Sequence, residues 1–459
     1  MQTIIRDATI VTGDRARSVL HHGAIVVDHD RIIAVGASAD VVARHPHAQV
    51  IEGSGKAVFP GLINCHTHLC LTSSRGIQED FGFPSTLRFP VTVQAMLSGE
   101  ENAVFAMLGA LEALRSGTTA LLEIGRGTET YADALATTGL RLVLGDTASD
   151  LDPAGVPAGR FEYVASLREA ALRRTSDLIS RWHGAAGGVI SCMVAPHAPE
   201  ACSPELLRET RAIAERADVG YTIHLNQSRW EVEAVMRVRG VRPTEYLFQQ
   251  GFLGPRLVAG HCRVIHPLEI GLLGQSRAFV SYNAAIAARR GFAAPIQALE
   301  AAGCTIAMGS DNMAEDMVEV MRTGLFLERV ARQDGQSPQP EDVLEWATRN
   351  GAHALSLGER VGSLEAGKQA DLVVVNCRRA HLVPTLRIVS AFVHNGQASD
   401  VESVMVAGRW LMRDGRVLTI DEDDILTRAE EIGHRAWKDL VERYPDVDFP
   451  IRLPRLPRA

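Results

Sequence analysis

The chain has 459 residues, is 46% hydrophobic and carries a formal net charge of -8. That length supports one large core with a smaller unit beside it, and the dispersed acidic balance excludes a nucleic-acid footprint. No apolar run approaches the roughly 20 residues that span a bilayer, so a membrane partner is excluded as well.

Met1-Gln2-Thr3-Ile4-Ile5-Arg6 lacks the charged-then-apolar form of a secretory signal. Seven cysteines without regular spacing read as reduced thiols. Both features point to the cytoplasm. Lysine is scarce: Lys56, Lys368 and Lys438 are the only three.

In chain order, residues 1–57 read as short strands, with apolar runs at Ile4-Ile5, Gly23 to Val27 and Ile32 to Val35 between turn signals. The middle, residues 58–363, alternates strands and helices. The strands expected are Phe59–Ile63, Thr119–Ile124, Arg141–Gly145, Val189–Ala195, Thr222–Leu225, Leu257–Gly260, Phe279–Ser281 and Thr305–Met308. Helix-period segments separate most of them, among them Glu101 to Arg115, Pro204 to Arg216 and Glu315 to Arg332. Eight strands with intervening helices predict an α/β fold, a (β/α)8 barrel with insertions. An open doubly wound sheet is the alternative, but the Gly-rich phosphate loop that announces one is missing. Strand texture returns in 364–420, at Asp371 to Val375 and Val404 to Leu411, so a small sheet domain built from both termini is expected. Residues 421–459 hold a helical stretch, Asp424 to Tyr444, and the Pro-rich "FPIRLPRLPR", expected to be a packed appendage or a homo-oligomer contact.

The chemistry begins in "PGLINCHTHL", Pro60 to Leu69. Residues two apart on a strand share a face, so His66 and His68 project together. At the C-terminal end of a barrel strand that face looks into the active-site mouth, where two imidazoles can share a divalent ion. His45-Pro46-His47 has the same spacing, but its proline and polar setting make it a surface turn. Later strand ends carry His197 in "APHAP", His224 in "YTIHLNQ", His261 in "LVAGHC" and Asp311 in "GSDN". Each alone would be structural or solvated; a shared barrel mouth explains them together.

These motifs, with "SSRGIQED" after the first strand and "GSLEAGKQADLVVV" near the end, resemble the amidohydrolase superfamily in order and over nearly the whole chain. The likeness is to its cytosolic deaminase and triazine hydrolase branch. The resemblance implies a distorted (β/α)8 barrel beside a small β-sandwich made from both termini. It maps His66, His68, His224 and Asp311 onto the ligands of one catalytic metal. His261 falls on the histidine that assists proton transfer or orients water, and His197 on a substrate-binding histidine. Superfamily members with two metals commonly bridge them with a carboxylated lysine after strand 4. Here that place reads Ala195-Pro196-His197, and no lysine lies between Lys56 and Lys368, which excludes a site bridged that way.

One position departs from the branch. The residue three after the strand-5 histidine is there typically a glutamate that carries protons to a heterocycle's ring nitrogen; here it is Gln227. An amide does not ionise near neutral pH, so Gln227, like its neighbour Asn226, is expected to contact substrate without moving protons. Glu231 and Glu233 are expected to be solvated first-turn carboxylates of the next helix. Proton transfer then falls to Asp311 with His261. The strand-7 end, Ser281-Tyr282-Asn283-Ala284, stands where the branch often shows His-Asn-Pro, and Tyr282 and Asn283 are candidates to line a different pocket. Glu123, ending strand 2, is a candidate pocket acid or partner for Arg126, and Arg75 is expected to order the loop after strand 1, with contact to an anionic substrate as the alternative.

The sequence therefore predicts a hydrolase of C–N bonds other than peptide bonds, acting on a small amide, urea or carbamate. It would use one divalent transition metal, Zn2+ by default, with Fe2+, Co2+ or Mn2+ suited to the same donors. The alternatives are an aminohydrolase, deaminase or dechlorinase-like hydrolase of a nitrogen heterocycle, and an inactive barrel that only binds a ligand.

Overall fold

A computed structural model describes residues 2–80 and 91–447 of the protein. The Pro-rich end that the sequence offers as an oligomer contact lies outside them.

The eight barrel strands are Leu62–Thr67, Thr118–Gly125, Arg141–Ala148, the split pair Ile190–Cys192 and Ala195–Pro196, Tyr221–Leu225, Leu257–His261, Phe279–Tyr282 and Thr305–Met308. All neighbouring strands run parallel, in two sheets that hold strands 1 to 4 and 5 to 8. Parallel bridges join the sheets at both seams, Val194 to Tyr221 and Thr67 to Asp311. The first two barrel strands are buried at every position, as expected for strands covered by side chains inside and helices outside. Ser98 and Glu101 cap helix Gly99–Arg115 reciprocally, and Ser203 caps Pro204–Arg216, which satisfies amide groups the first turns leave free.

A separate sheet takes strands from both ends of the chain. Its order is Arg416–Val417, Arg409–Arg413, Val401–Val406, Leu372–Asn376, Lys56–Pro60, Gln2–Val11, Val19–Asp28 and Arg31–Ala37, with Gln49–Glu52 also pairing Gln2–Val11. The expected strand Phe59–Ile63 is thus two strands. Lys56–Pro60 pairs antiparallel with Leu372–Asn376 in this sheet, and the barrel begins at Leu62. Gly61 makes the crossing possible, since a Cβ there would lie 1.9 Å from Thr119 Oγ1. The late run Val404 to Leu411 is likewise a hairpin, turning at Ala407-Gly408 between two strands.

Barrel and sheet are tied by a buried ion pair. Arg141, at the start of barrel strand 3, donates from Nε and Nη2 to the two oxygens of Asp371, each at 2.9 Å. Helix Glu422–Arg443 lies against the barrel, where Trp437 Nε1 donates to Ser73 O at 2.9 Å. His45-Pro46-His47 is a surface turn. All seven cysteines are buried and unpaired, and no helix among the described residues is long and apolar enough to cross a membrane.

Candidate active site

The C-terminal ends of strands 1, 5, 6 and 8 bring His66, His68, His224, His261 and Asp311 together. The trio His66, His68 and His224 and the trio His66, His261 and Asp311 each place their donor atoms within 4.8 Å of one another, a grouping that could hold a metal ion. Two ring orientations are fixed by the backbone. His68 Nδ1 donates to Ile124 O at 2.5 Å, and His224 Nδ1 donates to His197 O at 2.6 Å. Each ring thereby turns its Nε2 toward the cluster, and these two nitrogens face each other at 3.0 Å. Nitrogens that close need a shared proton or a metal ion beside them. Both nitrogens of His66, fully buried, also lack any hydrogen-bond partner among the described residues. A buried imidazole without partners is costly; a divalent ion would engage one His66 nitrogen together with His68 and His224 Nε2. Burial, with the neighbouring rings, pushes His66, His224 and His261 well below the ordinary histidine value, so they are neutral donors.

Asp311 spans the cluster. Its Oδ1 lies 3.9 Å from His66 Nε2 and 3.7 Å from His68 Nε2, and its Oδ2 lies 3.8 Å from His261 Nε2. It sits at the seam, where its N–H donates to His66 O and its carbonyl accepts from His68 N–H, each at 2.9 Å. Asn226, His261, Cys262 and Asp311 have φ between 50° and 78°. Left-handed backbone of this kind costs about 1–3 kcal/mol per residue and clusters at functional sites. Glycine makes room for His66. A Cβ on Gly309 would lie 2.8 Å from His66 Cβ, and one on Gly260 would lie 3.0 Å from its Cε1.

The cluster forms the floor of a cavity of about 490 Å3, which His68, Glu123, His197, His224, Gln227 and Asp311 line in part. Burial holds the His197 ring down to about 4, so it too is neutral. Glu123 is spent on protein donors: Oε2 accepts from Thr67 Oγ1 at 2.8 Å and Leu69 N at 2.9 Å, and Oε1 accepts from Tyr131 Oη at 2.8 Å. Arg126, Arg174, Arg263 and Arg290 line the same cavity.

Three expected substrate contacts face elsewhere. Asn226 donates to Glu269 Oε1 at 3.1 Å and accepts from Thr244 Oγ1 at 2.7 Å, inside a buried network. Tyr282 packs its ring against Trp346, with Glu328 beside its hydroxyl, away from the cavity. Asn283 is 1% exposed and stands behind His261, with its Nδ2 3.2 Å from His261 Nδ1. Adjacent strand-end residues point to opposite sides, and both flank the mouth without opening onto it. Asn283 Oδ1 accepts from Ser281 Oγ at 2.8 Å. Its amide nitrogen is thereby the atom that faces the ring, and the His261 proton is left on Nε2, toward Asp311.

Glu231 corrects the expectation of a solvated carboxylate. It is fully buried, and its two oxygens accept from Asn226 N at 2.8 Å and Gln227 N at 2.7 Å. It shapes the backbone that carries Gln227; the signal in the sequence was Ser228, which caps the same helix. Burial and Glu200 hold its carboxyl well above the ordinary range, and burial raises Glu200 to about 7. Arg75 has the loop-ordering role expected, donating to Met313 O and pairing with Glu112.

A family model described as the amidohydrolase family matches residues 57–411, and one described as the bacterial imidazolonepropionase-like composite domain matches residues 23–48. A 5-methylthioadenosine/S-adenosylhomocysteine deaminase of Desulforudis audaxviator is 33% identical over 90% of this chain and 94% of its own. An adenosine deaminase of Xanthomonas campestris with bound zinc superposes with a TM-score of 0.87 at 26% identity, covering 95% of this chain and 98% of that one. A triazine hydrolase from Arthrobacter aurescens shares the fold, with a TM-score of 0.85 at 21% identity over 94% and 99% of the two chains. The inactive-barrel alternative falls away: the chain belongs to the amidohydrolase family, and its activity is metal-dependent hydrolysis of carbon–nitrogen bonds other than peptide bonds in small molecules.

Proposed function

We propose that the protein hydrolyses an amide, urea or carbamate at one metal held by His66, His68, His224 and Asp311. Zn2+ suits three neutral imidazoles and a carboxylate, and Fe2+, Co2+ or Mn2+ suit the same donors. When bound, the ion supplies a Lewis acid and an acidified water. Asp311 can give one oxygen to the ion and take the attacking water's proton on the other. His261, with its proton on Nε2, donates to the negative charge that develops on the substrate's oxygen. The protonated Asp311 then returns its proton to the departing amine. Gln227 and His197 hold the substrate over the cluster.

One observation carries this reading. Gln227 faces the cavity where a ring-protonating acid would be needed, and the nearby carboxylates Glu123 and Glu231 are each occupied by protein donors. Attack at an acyl-type carbon needs only the proton that Asp311 handles. The deaminases related to this chain favour a second reading, an aminohydrolase of a nitrogen heterocycle in which Asp311 and His261 protonate the ring. A screen of metal-loaded enzyme for release of ammonia or amine separates the two. Turnover of ureas, amides or carbamates supports the first; turnover of aminoheterocycles alone replaces it with the second. Gln227→Glu should raise aminoheterocycle turnover in either case. A cytoplasmic location and a homo-oligomer belong to the same proposal, as does a division into 1–57 with 364–420, 58–363 and 421–459, its first boundary moved past Pro60 because Lys56–Pro60 pairs in the terminal sheet; limited proteolysis would test it.

A further inference from the structure

Arg263 is a buried cation to which no carboxylate hydrogen-bonds among the described residues. It is 8% exposed, lines the cavity, and its Nε and Nη1 have no hydrogen-bond partner among the described residues. Its guanidinium lies 5.1 Å from the Phe292 ring centre, a contact that gives it a wall and no counter-charge. Arg141, the other deeply buried arginine among the described residues, shows the usual arrangement, with both Asp371 oxygens against its fork. Buried donors left without acceptors are costly, and those of Arg263 stand in the cavity wall, where an acceptor arriving from outside can meet them. Arg290 stands on the same wall, its Nη1 donating to Gln78 O at 3.1 Å and Glu79 O at 3.2 Å. Asp311 lines the same cavity, and its charge and that of Glu231 favour the Arg263 cation while Arg290 opposes it.

We propose that Arg263 and Arg290 form an oxyanion subsite that holds a carboxylate substituent of the substrate next to Asp311. The proposal rests on the hydrolase reading for its site and narrows it to substrates that are acids as well as amides, ureas, carbamates or aminoheterocycles. Guanidinium forks match planar carboxylates with paired hydrogen bonds, and a buried one rejects the neutral analogue because its own donors then stay unpaired.

Binding of benzoate, benzamide and phenyl phosphate to the metal-loaded enzyme, measured by calorimetry, tests this without turnover. Wild type should prefer benzoate to benzamide by at least about tenfold, a difference typical of one charge-assisted contact. Arg263→Gln should erase the preference, and Arg263→Lys should keep part of it. Preference for phenyl phosphate that Arg263→Gln also erases supports the same subsite with a phosphate as its occupant. A benzoate preference that survives Arg263→Gln assigns the anion to the metal or to Arg126 and Arg174 and overturns the proposal, as does no preference in wild type. Should Arg263→Gln fail to fold or to hold metal, Arg290→Gln and Arg263→Lys carry the same comparison. A silent activity screen would sink the hydrolase reading and leave these binding outcomes intact.

Discussion

Asp311 and Asn283 show how differently two strand-end residues can serve one reaction. Asp311 touches the imidazole cluster through one oxygen and faces His261 through the other, so Asp311→Asn should lower kcat/KM by about 100-fold or more, the usual scale for a lost general base. Retained turnover would remove it from the proton path. Asn283 works through His261, and that was not readable from sequence: Ser281-Tyr282-Asn283 marks a strand end but not which side each residue takes. Gln227 was legible because a single functional group, an amide in place of an acid, decides its chemistry wherever it points. Glu231 was misjudged because helix-first-turn position says nothing about burial.

Glu200 gives a residue-level test with a defined sign. Its folded value of about 7 lies above the ordinary 4.5, so the folded state binds more protons between those two values. Stability contributed by the protonated form is complete below about 4.5 and is lost as pH rises to about 7. Glu200→Gln should therefore gain stability relative to wild type as pH goes from 5 to 8, read as urea midpoints. A constant difference across that range would refute the assignment.

At the scale of elements, the site depends on how closely strands 6 and 8 approach His66. A Cβ on Gly309 would also lie 2.6 Å from Asn283 Oδ1 and 2.7 Å from Ser281 Oγ. Gly309→Ala should cost about 1–3 kcal/mol from overpacking and reduce bound metal, checked by elemental analysis and thermal unfolding; unchanged metal content would mean that His66 can shift without loss. The strands themselves were largely legible, since continuous apolar runs ending in a polar residue mark parallel barrel strands. The exception is Phe59–Ile63, where one apolar run serves two sheets. Only Gly61 hinted at the break, and its meaning depends on Thr119, far away in sequence.

Across the whole molecule, the proposed ligands come from both half-sheets, with strand 1 supplying two histidines and strands 5 and 8 the rest. The terminal sheet is bound to this barrel through Arg141 and Asp371, both at most 3% exposed. Asp371→Ala strands the guanidinium in the core and should cost about 3–5 kcal/mol in denaturant unfolding while leaving metal content unchanged in the folded fraction. A loss under 1 kcal/mol would show that the two units stand without this pair. "GSLEAGKQADLVVV" announced the sheet strand, but not that its aspartate reaches the barrel.

The cavity wall carries four arginines, of which Arg174 is paired with Asp146, against the carboxylates of Glu123 and Asp311, in a chain whose formal net charge is -8. A cationic funnel in an anionic protein sorts arrivals by sign. Anionic substrates are drawn in, and their association should slow as salt is added. A divalent ion reaching the same floor climbs the opposite gradient, so refilling of stripped enzyme should quicken as salt is added. A mouth that favours acids in this way resists a cation, and refilling that slows as salt is added would refute that gradient.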